Sequence, residues 1–185
     1  MQKSQFQILT PEKIEQMFRW IREAISLMYA NHKHPVPMTA LIFAYMETFG
    51  KALGGKSTEE KIEKFIETYM HGLCEALKQK KLNFDSSVYL NGESYKIRTV
   101  FGNFYRNGLV HQFWMKKGCA LFENATPNAP KEYLWIEFSN NQKYFMGINI
   151  DLLVPDFLNA INQYQSRIKN DNNEKSNLSM AILKE

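Results

Sequence analysis

The chain has 185 residues and a mass of 21.7 kDa, enough for one ordinary domain and too short for two well-buried ones. With 44% hydrophobic and 23% charged residues, and 13 Phe, 9 Tyr and 3 Trp, the composition excludes global disorder. The formal net charge is only +4, and no apolar run approaches the roughly 20 residues that cross a bilayer.

Residues 1–10 read as an N-terminal extension. Met1 to Leu9 is polar and lacks the hydrophobic core of a secretion signal, so the expected compartment is the cytoplasm, with no membrane partner. Thr10-Pro11-Glu12 then predicts a helix start: a hydroxyl for free amides, a proline suited to the first turn and an acid that complements the dipole. Ile14, Met17, Phe18, Ile21, Ile25 and Met28 recur at helical spacing behind it. His32-Lys33-His34-Pro35-Val36-Pro37 interrupts the pattern, because a proline disfavours a helical residue before it. A second helix is expected from Thr39 to Leu53, stopping at Gly54-Gly55.

Ser57-Thr58-Glu59-Glu60 forms a capping box. The third helix should continue from it to about Lys80, burying Ile62, Phe65, Ile66, Tyr69, Met70, Leu73 and Leu77. After a connector containing Asn91-Gly92, a fourth helix is expected from about Tyr95 through Met115. Beyond Gly118, Leu134 to Phe138 and Lys143 to Ile150 look like two strands joined by a polar turn. Asp151 opens a last helix with Phe157, Leu158, Ile161, Tyr164 and Ile168 on its buried face. Residues 11–168 thus form one helical domain, and 169–185 a mobile polar tail. The expected class is mainly α: an up-and-down bundle of about five helices, with a small β-hairpin before the last helix.

Charge is unevenly placed. From Ser94 to Phe122 there is no acid, while Lys96, Arg98, Arg106, Lys116 and Lys117 are all cationic. Such a segment attracts a polyanion such as RNA, unless other segments supply its acidic neighbours. Within it, Arg106-Asn107-Gly108-Leu109-Val110-His111 joins a permanent cation, an amide and a group that titrates near neutrality. These residues resemble the HEPN superfamily, whose signature is Arg, commonly followed by a polar residue, and then His, on one helix of an all-α bundle. Arg106-Asn107-x3-His111 fits the four-residue form, and the helix order fits across most of residues 11–168. The resemblance implies a metal-independent endoribonuclease without cofactor, a toxin or defence effector, acting on RNA as a homodimer whose two motifs face each other. It also implies an antitoxin or regulatory protein as a further partner. Other members keep the fold as a noncatalytic RNA-binding or interaction module.

The chemistry accords with that carry-over. RNA supplies its own nucleophile, the 2′-hydroxyl, so cleavage needs a proton acceptor, a stabilised phosphorane and a proton donor. His111 is the expected acid or base, Arg106 the phosphate ligand, and Asn107 the group whose amide orients His111 or the phosphate. Arg98, Lys116 and Lys117 are the expected RNA contacts. On an ideal helix Asn107 and His111 share a face, whereas Arg106 and His111 lie about 140° apart, so a groove closed by another helix or subunit is required. The competing reading is an ordinary ion pair at Arg106 and a structural histidine at 111.

Other candidates are weaker. His32 and His34 have no carboxylate or cysteine nearby in sequence, and no metal site is expected. His71 reads as structural. Cys74 and Cys119 lack a CxxC companion. Tyr105, Phe113 and Trp114 fit a core better than a base-stacking surface.

Overall fold

The Thr10 hydroxyl accepts the Lys13 amide and begins the first helix, α1 (Pro11–Ala30), which buries Ile14, Phe18, Ile21 and Ile25. The structure, a computed structural model, describes residues 9–31, 35–90, 92–112, 118–126, 128, 131–139 and 142–183; for 110–112, 138–139, 142–144 and 183 it describes the backbone only. The histidines at 32 and 34 lie outside the described residues.

The second helix, α2 (Pro35–Ala52), starts earlier than expected. Both prolines fall in its first turn, where a missing N–H leaves no helical bond unmade. Its end is set by Gly54, at φ +87°. There the Gly55 amide donates to the Gly50 carbonyl and the Gly54 amide to that of Lys51, each at 3.0 Å, the bonding of a Schellman close. Gly50 is also where α2 meets α3 (Thr58–Tyr69): a β-carbon there would stand 1.7 Å from the Lys61 carbonyl oxygen. Ser57 caps α3 through the Glu60 amide at 3.2 Å, and the Glu60 carboxylate accepts the Lys56 amide at 3.0 Å.

The expected third helix is broken. At Met70 the backbone turns to ψ 74°, and α4 (His71–Gln79) starts afresh. Asp156 makes the break tolerable by accepting the first-turn amides of Gly72 and Leu73 at 3.2 and 2.9 Å. The expected fourth helix also starts later. Residues before it pair as a hairpin, β1 (Ser87–Leu90) with β2 (Glu93–Lys96), turning at Gly92 with φ +88°. The motif helix then runs as α5 (Ile97–Thr99), a π-helical stretch Val100–Arg106, and α6 (Asn107–Gln112).

The expected hairpin after it exists as β4 (Leu134–Ser139) antiparallel to β5 (Gln142–Asn149), but β3 (Cys119–Phe122) joins parallel to β5, giving the order β3-β5-β4. Asn149 caps α7 (Ile150–Asn170) through the Asp151 amide. The tail expected to be mobile is instead α8 (Asn172–Leu183). Asp171 accepts the amides of Asn173 and Glu174 at its start, Leu178 and Ala181 are buried, and Lys51 donates to the Ala181 carbonyl at 2.9 Å. The chain is therefore α-dominant, with two small sheets and more helical segments than the sequence suggested. Among the described residues no helix is long and apolar enough to cross a membrane.

Helices α1, α2, α3 and α7 meet around Phe49, whose ring lies 5.5 Å from Phe18, 5.6 Å from Phe65 and 5.1 Å from Tyr164. Phe65 is fully buried and also meets Tyr69 and Phe157. Phe65→Ala should cost about 3–5 kcal/mol, read as a lowered urea midpoint with an unchanged m-value.

Candidate functional site

The motif helix is tied down from both sides. Tyr105 is buried and donates from its hydroxyl to the Met146 carbonyl at 2.7 Å and to that of Ala120 at 3.2 Å, locking the π-helical stretch to β5 and β3. Its ring also lies 5.7 Å from that of Phe43 on α2. Tyr105 is therefore core, as expected, and burial pushes its phenol well above the ordinary range. One residue on, the chain leaves the π-helix: the Asn107 amide reaches back to the Gly102 carbonyl, a five-residue step. That wider turn changes the facing of Arg106 relative to a regular helix.

Arg106 is engaged from α2. Its Nε lies 2.5 Å from a carboxylate oxygen of Glu47, and both side chains are mostly buried, 20% and 15% exposed. Arg106 Nη1 donates to the Asn107 Oδ1 at 2.9 Å, and Asn107 Nδ2 donates to the Asn103 Oδ1 at 2.9 Å. Glu47 has two further partners from α3: the Thr58 hydroxyl at 2.9 Å and the Lys61 ammonium at 3.5 Å. Arg106 is thus paired with α2 of the same chain. Arg106 bends toward the Asn107 face, and position 111 lies four residues further along α6, on that face.

The structure brings Arg106 and Asn107 together; the side chain of His111 lies outside the described residues, as do Lys116, Lys117, Phe113 and Trp114. The ion pair envisaged as the bland reading of Arg106 is present. The Arg106 side chain as a whole keeps a fifth of its exposure, while Nε itself is buried. Sequence reasoning missed Glu47, although a signal existed. Between Thr39 and Gly50 it is the sole charged residue in a strongly apolar helix, and a carboxylate so placed needs a cation.

The acid-free segment is not an acid-free surface. Asp85 accepts from Lys96 at 3.2 Å and from Arg98 at 2.8 Å, and Glu63 lies 3.3 Å from Arg98. Burial pushes the Glu63 carboxyl up despite the opposing pull of Arg98. Arg98, expected on RNA, is therefore occupied by two acids from elsewhere in the chain, which lowers the field it projects outward. His71 is exposed at the start of α4.

The cysteines are poor nucleophiles. Burial pushes the Cys119 thiol up to about 12 and the Cys74 thiol up to about 11, so both stay protonated near neutrality. Among the described residues no group of three or more His, Cys, Asp and Glu side chains is gathered as a metal would require. Comparison of the chain with protein-family models, with curated proteins and with solved structures gave no match.

Two outcomes follow from this geometry. Glu47→Ala should destabilise by about 2–3 kcal/mol, since it leaves a mostly buried guanidinium uncompensated. A double-mutant cycle with Arg106→Ala should return a coupling of about 1–3 kcal/mol by urea denaturation. The raised thiols favour the folded state below their ordinary value near 9, and that contribution is lost as pH rises from 9 toward 12. Alkylation at pH 7.5 should accordingly be at least about tenfold slower in the folded chain than in urea, and the urea midpoint should fall above pH 9.

Proposed function

We propose that the chain is a metal-independent endoribonuclease of the HEPN type, with Arg106, Asn107 and His111 as its working residues. What supports the reading is a single observation: Glu47 holds the Arg106 guanidinium against the Asn107 amide, on the helix face that carries position 111. A cation fixed before substrate arrives needs little reorganisation as charge develops on a phosphorane.

In the proposed reaction the RNA 2′-oxygen bonds to the adjacent phosphorus while the bond from phosphorus to the 5′-oxygen breaks. His111 takes the 2′ proton or delivers one to the leaving oxygen, and its counterpart in a second copy performs the other transfer. Arg106 stabilises the equatorial oxygens. Asn107 acts as a positioning residue, holding Nη1 so that the guanidinium does not rotate away. The products are a 2′,3′-cyclic phosphate and a free 5′-hydroxyl.

A second reading is favoured by the acids around Arg98 and Arg106. Charge compensated within the fold weakens attraction to a polyanion, which suits a noncatalytic HEPN-like module that binds RNA modestly or docks a regulatory protein. Incubation of the purified chain with a mixed RNA pool in excess chelator separates the two. The nuclease reading expects cyclic-phosphate ends, lost on His111→Ala and reduced at least a hundredfold on Arg106→Ala. Absence of cleavage, or equal products from wild type and His111→Ala, sinks it. The module reading then requires that Arg106→Ala and Lys116→Ala weaken RNA binding and flatten its salt dependence.

A further inference from the structure

Asn103 and Asn107 stand four residues apart, a spacing that brings two side chains together on one helix face. They meet through a single hydrogen bond, from Asn107 Nδ2 to Asn103 Oδ1 at 2.9 Å. An amide carries an acceptor at one end and a donor at the other, and its neighbours decide which way each faces. A guanidinium only donates, so the contact with Arg106 Nη1 turns the Asn107 oxygen toward the arginine. The Asn107 nitrogen must then face Asn103, and Asn103 must answer with its oxygen. Arg106, held in turn by Glu47, thus sets the polarity of the whole row.

The row ends in a donor. Asn103 is half-buried, and its Nδ2 makes no hydrogen bond to any described residue. That nitrogen is not among the buried polar atoms left without a partner, so it opens to solvent. Its oxygen is meanwhile engaged by Asn107. A neutral donor of fixed orientation therefore stands two hydrogen bonds away from the Arg106 guanidinium.

Unstacked bases of single-stranded RNA are read along their edges, and there the four differ. Uracil O4 and guanine O6 accept, whereas the amino groups of cytosine and adenine in the same place donate. A donor set against a donor leaves both unpaired, so one oriented amide nitrogen discriminates between the two kinds of base. With its oxygen engaged, Asn103 is also unsuited to the two-point contact by which asparagine takes adenine. On the ribonuclease reading above, on which this rests, we infer that Asn103 is a specificity-determining residue. Its Nδ2 donates to the keto oxygen of a uracil or guanine beside the linkage held by Arg106.

Fluorescence anisotropy with 2′-fluoro oligouridine and 2′-fluoro oligocytidine, which bind without being cut, tests the assignment. The full chain should bind oligouridine about tenfold more tightly. In Asn103→Asp the carboxylate keeps an acceptor for Asn107 and puts a second acceptor where the donor was. The preference should vanish or invert with an unchanged melting temperature, a result that a purely structural role would not produce. Asn103→Ala, which should abolish the preference, is the second variant if the carboxylate disturbs folding. The assignment is overturned if the two oligomers bind the parent equally, if neither binds, or if the preference survives in the folded variants. The ribonuclease reading is scored apart from it, on the ends released from a mixed RNA pool. Cleavage that is lost on His111→Ala yet shows no bias toward uracil or guanine beside the cut removes the role of Asn103 alone.

Discussion

One carboxylate, Glu47, decides how the centre of this molecule is arranged. It projects from an apolar helix into a region with little water, where an unpaired charge costs several kcal/mol. Its two oxygens answer that cost with Thr58 and Lys61 from α3 and Arg106 from the motif helix. Three helices are fixed to one another through a single side chain. The close approach of α2 and α3 at Gly50 is what lets Thr58 and Lys61 reach it.

The π-helical stretch belongs to the same device. Tyr105 anchors it to the sheet, and the wider turn that follows lets Arg106 serve two masters, pairing with Glu47 through Nε and meeting Asn107 through Nη1. On a regular α-helix, consecutive side chains point about 100° apart, and a long flexible arginine would be poorly held. Departures of this kind recur at functional sites because they re-aim a side chain without breaking the helix. The chemistry proposed for Arg106 depends on that aim.

Local signals announced the elements that local signals control. Thr10-Pro11, Ser57 with Glu60, and the Gly54-Gly55 pair mark helix ends through bonds made within a few residues, and the structure places ends there. The apolar spacing of α1, α3 and α7 likewise named their buried faces. What escaped was decided at a distance. Helix three breaks at Met70, where Asp156 supplies acceptors from far along the chain, and the only local hint is the helix-weakening Gly72. The last helix was hidden by the polar run before Leu178 and Ala181, whose burial depends on α2 lying alongside. The β1–β2 hairpin is different: Asn91-Gly92 is a recognised turn signal, and apolar spacing further along obscured it. At the site, Arg106 and Asn107 were legible and Glu47 stood out as a lone charge in an apolar helix, but which acids face Arg98 and Arg106 was not, since pairing across segments leaves no trace in a local count of charge.

The central claim is that Arg106 and Asn107 form a prepared seat for a sugar-phosphate chain. The most direct measurement is an NMR titration with a single-stranded oligonucleotide carrying 2′-fluoro sugars throughout, which binds without being cut. The account predicts that the Arg106 Nε–H resonance and the Asn107 side-chain amide shift together along one saturation curve. Saturable binding that leaves both signals in place, or no binding at all, would contradict it.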